Sequence, residues 1–350
     1  MRLIEKVWFN GHSAKWLLVP LLLPLMVLFL VLSFFRRVGY QLGLLKQVKL
    51  PVPVVIVGNI GIGGNGKTPL TLYLVEKLSE QGIKVGVVSR GYGSKAPHYP
   101  YQVCAKSSAE QAGDEPLLIF QRTGVNVVIG ADRVAGCQLL IEQGCELIVA
   151  DDGLQHYRLA RDFEFVVVDG KRLFGNGLLL PAGPLRESKS RIKSADCVVV
   201  NGESSWQEKI AGSTLPILTM QLSANRVVNV KAGVSVELSK FLRQNIAKGE
   251  AVNAIAGIGD PERFFNTLKQ YGFVVAIAKG FIDHQAYAIE DLQQFPDDMP
   301  LLMTEKDAVK CADFAQENYW YLPIDAVFSK NTSADAINQI INEIAALTGK

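Results

Sequence analysis

The spacing of apolar and polar positions changes character three times along the chain. From Trp16 to Phe35, twenty residues run without a charge and are hydrophobic on every side of a helix, a pattern foreign to an amphipathic surface helix. That length is just enough to cross a bilayer. A cleavable leader fits less well, because the run is long and Arg36-Arg37 stands where small residues would be cut. After Pro51 and Pro53, short and nearly continuous apolar runs predict strands at 54–58, 84–88, 125–130, 146–150, 163–168 and 196–200. Helical spacing predicts helices near 68–81, 115–123, 133–143 and 186–194. Strands apolar on both faces and joined by helices imply a largely parallel sheet covered on both sides. From Ile217 to Leu238 the period falls to two, which predicts antiparallel strands and no helical crossover. A second α/β series follows, with strand 252–256, helix 262–271 and strands 273–277 and 300–303.

The expected architecture is therefore α/β. A membrane-associated segment covers 1–50, a parallel-sheet domain 51–216, a β-stranded linker 217–238 and a smaller α/β domain 239–350. Composition narrows the class further. A formal net charge of +2 over 350 residues points to no polyanionic partner, so no nucleic acid is expected. Five cysteines without a C-x-x-C pair resemble buried thiols in a reducing compartment. Arg2, Lys6 and Lys15 precede the apolar run, and Arg36, Arg37, Lys46 and Lys49 follow it. The bias leans towards a cytoplasmic body. Pro20 and Pro24 interrupt the run, so a spanning helix and one lying in the interface both stay open.

The chemistry starts at Gly61–Thr68, GIGGNGKT, which matches G-x-x-x-x-G-K-[ST] between a strand and a helix. Gly61, Gly63, Gly64, Asn65 and Gly66 would turn backbone N–H groups onto phosphate oxygens at a helix N-terminus. Lys67 would reach the β- and γ-phosphates of ATP, and Thr68 would bind Mg²⁺. In such sheets ligands bind beyond the carboxyl ends of the strands, so the polar residues there are the candidates. Asp151 and Asp152 close the strand 146–150; adjacent carboxylates need a cation between them, which suits a metal pair. Asp169 is a competitor of the same shape. Arg133 at a helix start opposes the helix dipole and hints at a nearby anion. Arg186 is either a phosphate contact or an idle surface residue, and Ser89–Gly93 is equally a contact or a tight turn. Asp114 or Glu115 makes a good helix cap before Pro116. Asp283-His284 suits proton transfer, with a plain surface loop as its rival. Gly257–Pro261 lacks the third glycine of a dinucleotide fingerprint and is not assigned a second nucleotide.

Together VGNIGIGGNGKTP (57–69), SRGYG (89–93), GDEP (113–116), GADR (130–133), DDGLQH (151–156), GPLRE (183–187), DHQAY (283–287) and TEKDAVK (304–310) resemble the tetraacyldisaccharide 4′-kinase family of lipid A biosynthesis. That resemblance implies transfer of the ATP γ-phosphoryl group to the 4′-hydroxyl of a tetraacylated glucosamine disaccharide 1-phosphate. It implies work at the cytoplasmic face of the inner membrane, and two α/β/α domains joined by a two-stranded linker. By the same resemblance Asp151 and Asp152 belong to the metal pair with Thr68. Asp114 and His284 form the dyad that activates the sugar hydroxyl, and Arg133 and Arg186 are active-site arginines. Because 51–216 and 239–350 separate Asp114 from His284, their meeting is expected to need closure of the two domains. A monomer is expected. The alternative is a membrane-anchored P-loop kinase for another lipid or sugar. A GTPase is disfavoured by the absence of N-K-x-D, and a partition ATPase by Ile62 where an extra lysine would stand.

Overall fold

Five consecutive residues of Val54–Gly58 are buried, and the first sheet grows outward from this strand. The neighbours on either side are Leu147–Asp151 and Phe163–Asp169, both parallel to it. Beyond them Val85–Ser89 and Asn126–Ile129 extend one flank, and Cys197–Asn201 and Ile217–Ser223 the other. Each of these pairs is parallel, as the runs of β-branched residues apolar on both faces require. Ile56, Val88, Val128, Ile148, Val166 and Val198 form its buried core, with Val134 and Leu140 from the helix Arg133–Glu142. The structure, a computed structural model, describes residues 3–202, 215–248, 251–328 and 332–349; Arg2 lies outside them.

The chain divides into two units, each assembled from separated segments. The first takes Met1–Arg90, Val125–Gln221 and Ala326–Lys350; the second takes Gly91–Gly124 and Leu222–Asp325. The continuous spans 51–216 and 239–350 divide the chain differently. The physical reason is the helix Asp114–Thr123, which packs on the helix Glu305–Cys311. Arg122 of that helix is nearly buried between Glu305, at 2.9 Å, and Asp325.

The second unit carries a six-stranded sheet in the order 235–237, 226–229, 319–322, 301–304, 252–256 and 275–280. Its last four strands pair in parallel and its first two antiparallel. The alternating stretch 217–238 is thus only partly antiparallel. Ile217–Ser223 pairs in parallel with Cys197–Asn201, and the antiparallel pairing starts at Arg226–Asn229. A helix over 186–194 does not form either: a 3₁₀ turn covers Lys189–Ser194. The N–H groups of Arg186 and Glu187 donate to the Ile60 carbonyl, at 2.7 and 3.3 Å, which holds the segment before that turn against the end of the central strand.

The apolar N-terminal run is one helix, Lys15–Gln41, continuous through Pro20 and Pro24. Its 27 residues include a window of mean hydropathy 2.8 that buries nothing against protein. It is long and apolar enough to cross a membrane, by length and composition.

Gly58 marks the tightest packing at the end of the central strand. A Cβ there would sit 2.6 Å from Leu154 Cβ and 3.1 Å from Leu154 N. Neither atom is a flexible end, so Gly58→Ala is expected to destabilise the fold by about 1–3 kcal/mol. Chemical denaturation reads this directly, and an unchanged midpoint would refute the close packing.

Candidate active site

The strand Val54–Gly58 feeds a glycine turn into the helix Lys67–Glu80. Gly63 and Gly66 have φ of 108° and 93°, left-handed values that side chains resist. The turn is buttressed on two sides. Asn201, at the end of its strand, donates to the Asn65 carbonyl at 3.1 Å. The segment 184–186 pairs antiparallel with it, Ile62 N–H donating to the Pro184 carbonyl at 2.9 Å. That pairing carries Arg186 to the cradle.

The side chains then close a charged network. Lys67 Nζ lies 3.5 Å from Asp152 and donates to Asn59 Oδ1 at 3.3 Å. Arg186 Nη1 reaches both oxygens of Asp152 at 3.1 Å and Gln155 Oε1 at 3.3 Å. Gln155 donates in turn to the Asn59 carbonyl at 3.0 Å and to Glu187 at 2.8 Å. Burial alone would raise the Asp152 pKa, but Lys67 and Arg186 outweigh it and hold the carboxyl below its usual range. Asp152 sits at φ 50°, an uncommon conformation for a residue with a side chain. Asp151 is buried, and Thr71 donates to its Oδ1 at 3.1 Å.

Arg133 is buried with the pair. Its guanidinium donates to the carbonyls of Gly130 and Asp151, both at 3.3 Å. Burial lowers its pKa to about 10 against the opposing pull of Asp151 and Asp152. The negative charges acting on it there are those of Asp151 and Asp152. Asp132 caps the same helix, accepting from Val134 and Ala135 N–H at 3.0 and 3.2 Å. Asp169 closes a turn: its Oδ1 accepts from the N–H groups of Lys171 and Arg172 at 2.9 and 2.8 Å. Asp151, Asp152 and the Thr68 hydroxyl are all oxygen donors, which suits a hard divalent cation.

The second unit holds the other candidates together. His284 Nδ1 lies 3.1 Å from Asp114 Oδ2, although the two are 170 positions apart. Both belong to this one unit, so no domain closure is needed for them to meet. Asp114 is buried at the first turn of its helix, with its cap at Gly113, not at its own side chain. Its burial would raise its pKa, but the His284 hydrogen bond and the charges of Lys310 and Lys306 bring it down. His284 has φ 63°, and its ring meets Tyr92 at 5.5 Å between centroids. Two lysines surround the pair: Lys310 Nζ is 3.5 Å from Asp114 Oδ2, and Lys306 Nζ is 3.3 Å from His284 Nε2.

Lys67, Asp152 and Arg186 are thus brought into direct contact, as are Asp114 and His284. Asn59, Gln155, Glu187, Lys306 and Lys310 join them without having been singled out. Gln155, Glu187 and both lysines lie inside DDGLQH, GPLRE and TEKDAVK, so the motifs held the signal while the residue types did not. Asn59 is buried, and its Nδ2 has no hydrogen-bond partner among the described residues, a spare donor beside Lys67.

Fold and site together define a P-loop α/β protein with a charged cradle and a separate carboxylate–imidazole pair. The chain matches the model of the tetraacyldisaccharide-1-P 4′-kinase family over residues 18–342, and it belongs to that family. It is 56% identical over 343 residues to a tetraacyldisaccharide 4′-kinase of Colwellia psychrerythraea, covering 97% of this chain and 96% of that one. With the enzyme of the same name from Vibrio cholerae it shares 47% over 339 residues, 97% of this chain and 96% of that one. The crystal structure of the "apo" form of LpxK from Aquifex aeolicus in complex with ATP superposes with a TM-score of 0.76 at 31% identity, covering 94% of this chain and 99% of that one.

His156, one turn beyond the carboxylates, supplies a pH signature. Its Nε2 is buried without a partner among the described residues. Burial, helped by the charge of Arg133, depresses its pKa to about 4. The unfolded value is about 6.5, so between these limits the unfolded chain binds the extra proton. Stability is then expected to fall as pH drops from about 6.5 towards about 4. His156→Gln should flatten that part of a stability–pH curve measured by denaturation. An equally steep curve in the variant would remove His156 as its source.

Proposed function

We propose that the chain is an ATP-dependent lipid kinase that transfers the γ-phosphoryl group to the 4′-hydroxyl of tetraacyldisaccharide 1-phosphate in lipid A biosynthesis. The observation that carries this reading is the contact of buried Asp114 with His284, a positioned proton acceptor in a chain that also holds a P-loop. Family membership supplies the substrate class.

In this reading Gly61, Gly63, Gly64, Asn65 and Gly66 present backbone N–H groups to the triphosphate, and Lys67 moves its ammonium from Asp152 to phosphate oxygen. Arg186 binds the same anion. Its hydrogen bonds to Asp152 orient its guanidinium at the cradle. Thr68, Asp151 and Asp152 would hold Mg²⁺, which supplies charge neutralisation at the β- and γ-phosphates. Arg133 is assigned to positioning: buried and bound to two carbonyls, it balances the carboxylates. In the second unit Asp114 accepts the proton of the attacking hydroxyl while His284 orients the carboxylate. The helix Lys15–Gln41 is proposed to anchor a monomer in the inner membrane, with its catalytic machinery on the cytoplasmic side, where ATP is. Its exposed apolar length supports that.

Radiolabelled transfer from ATP to the acylated disaccharide 1-phosphate, with soluble sugars as controls, tests the substrate class. Equal transfer to the soluble sugars, or none to the lipid, overturns it. Lys67→Ala should slow transfer by roughly 10²–10³, the usual loss for one preorganised charge contact. Activity within a few-fold of the parent would take Lys67 out of the mechanism. Asp114→Ala and His284→Ala should each lose most of kcat with ATP affinity little changed. Their double mutant should lose far less than the product, because the two act as one unit. Multiplicative losses would separate them.

A further inference from the structure

The Asp114–His284 pair does not stand alone, and the groups around it restrict where its protons can be. Lys306 Nζ lies 3.3 Å from His284 Nε2, 3.1 Å from Asp283 Oδ1 and 3.5 Å from Glu115 Oε1. An ammonium has only donors, so a nitrogen facing it at hydrogen-bond distance must offer a lone pair. The remaining ring nitrogen, Nδ1, then carries the proton and donates it to Asp114 Oδ2 at 3.1 Å. The opposite tautomer would aim Nε2–H at a cation, with Asp283 Oδ1 at 3.8 Å as its nearest acceptor, beyond hydrogen-bond range. It would also leave Nδ1 and Asp114 Oδ2 facing each other as two acceptors.

Lys310 completes the frame. It is almost wholly buried between Asp307 at 3.2 Å and Asp114 Oδ2 at 3.5 Å. Asp307 is itself fixed by Gly257 N–H at 3.0 Å and Tyr287 Oη at 2.8 Å. Both cations on Oδ2 and Nε2 come from the one short helix Glu305–Cys311. Oδ2 takes the His284 and Lys310 contacts, while Oδ1 of Asp114 takes none among the described residues.

We infer that Lys306 is a positioning residue for the phosphoryl transfer: by capping His284 Nε2 it fixes the ring as the Nδ1–H tautomer and so turns Asp114 Oδ1 towards the substrate hydroxyl. This rests on the dyad reading above. The hydroxyl O–H bond breaks as its oxygen bonds to the γ-phosphorus and the bond from that phosphorus to ADP breaks. The proton passes to Asp114 Oδ1. His284 holds Asp114 Oδ2 through its Nδ1–H while Oδ1 takes that proton. The carboxylates of Asp283 and Glu115 keep Lys306 an ammonium: burial lowers its pKa, but Glu115, Asp283 and Asp114 raise it overall.

The test uses the full chain with Lys306→Met and Lys306→Arg. Long-range ¹H–¹⁵N spectra report the tautomer of each neutral histidine, and there are four in the chain; His284→Gln assigns the signal. The parent should show His284 protonated at Nδ1. Lys306→Met should mix the tautomers and lower kcat by on the order of 10–10²-fold with the KM values for ATP and lipid nearly unchanged. Lys306→Arg restores a donor and should recover the single tautomer and much of kcat. An Nε2–H tautomer in the parent overturns the inference. So does a Lys306→Met enzyme with an unmixed tautomer or parental kcat, or an arginine variant no better than methionine. If Asp114→Ala and His284→Ala keep activity, the dyad reading itself has failed; if they lose it while Lys306→Met does not, only the lysine's part has.

Discussion

The first unit depends on keeping one carboxylate ionised between two cations. Asp152 stands at the end of a buried strand on a left-handed backbone, and Lys67 and Arg186 face it from either side. Each member of the trio would be costly alone: a partly buried charge without a partner loses several kcal/mol of solvation. Together they balance and orient one another. The strain at Asp152 is consistent with a site held in place by its surroundings.

The second unit solves the same problem with a carboxylate of its own. Asp114 is buried, and burial favours the neutral acid, which could accept no proton. Lys310, Lys306 and the His284 N–H overcome that tendency, and the carboxyl is driven below its ordinary range. His284 also occupies a left-handed backbone, at φ 63°. In both units a non-glycine residue in a sparsely populated conformation sits at the centre of the polar network. Asp307 anchors the second network by collecting Thr304, Tyr287, Lys310 and the Gly257 N–H on one fully buried carboxylate. The turn Gly257–Pro261 thereby has a structural use, which accounts for a glycine-rich turn without a nucleotide.

Side-chain charge and backbone pairing work together in placing Arg186. Its residue type would permit any surface position, and its charge would favour many. What brings it to the cradle is the antiparallel bridge between Gly61 and Leu185, with two N–H groups drawn to the Ile60 carbonyl.

The sequence by itself determined the parallel α/β character of the first unit, the P-loop and the long apolar N-terminal helix, because each depends on local periodicity or on a contiguous motif. Short β-branched runs apolar on both faces suit buried parallel strands, and a glycine turn with Lys-Thr folds around its own backbone. Family motifs also picked out Asp114, His284, Asp152 and Arg186. What only the tertiary structure decided was the partnership among them. The segment 91–124 leaves the P-loop unit because its helix buries Arg122 against Glu305 and Asp325, contacts invisible to any window of sequence. That single long-range packing choice puts Asp114 beside His284 and under Lys306 and Lys310. Charge networks of this kind are set by distances across the fold, and distances of 3–4 Å between residues 170 positions apart are written in packing, not in spacing.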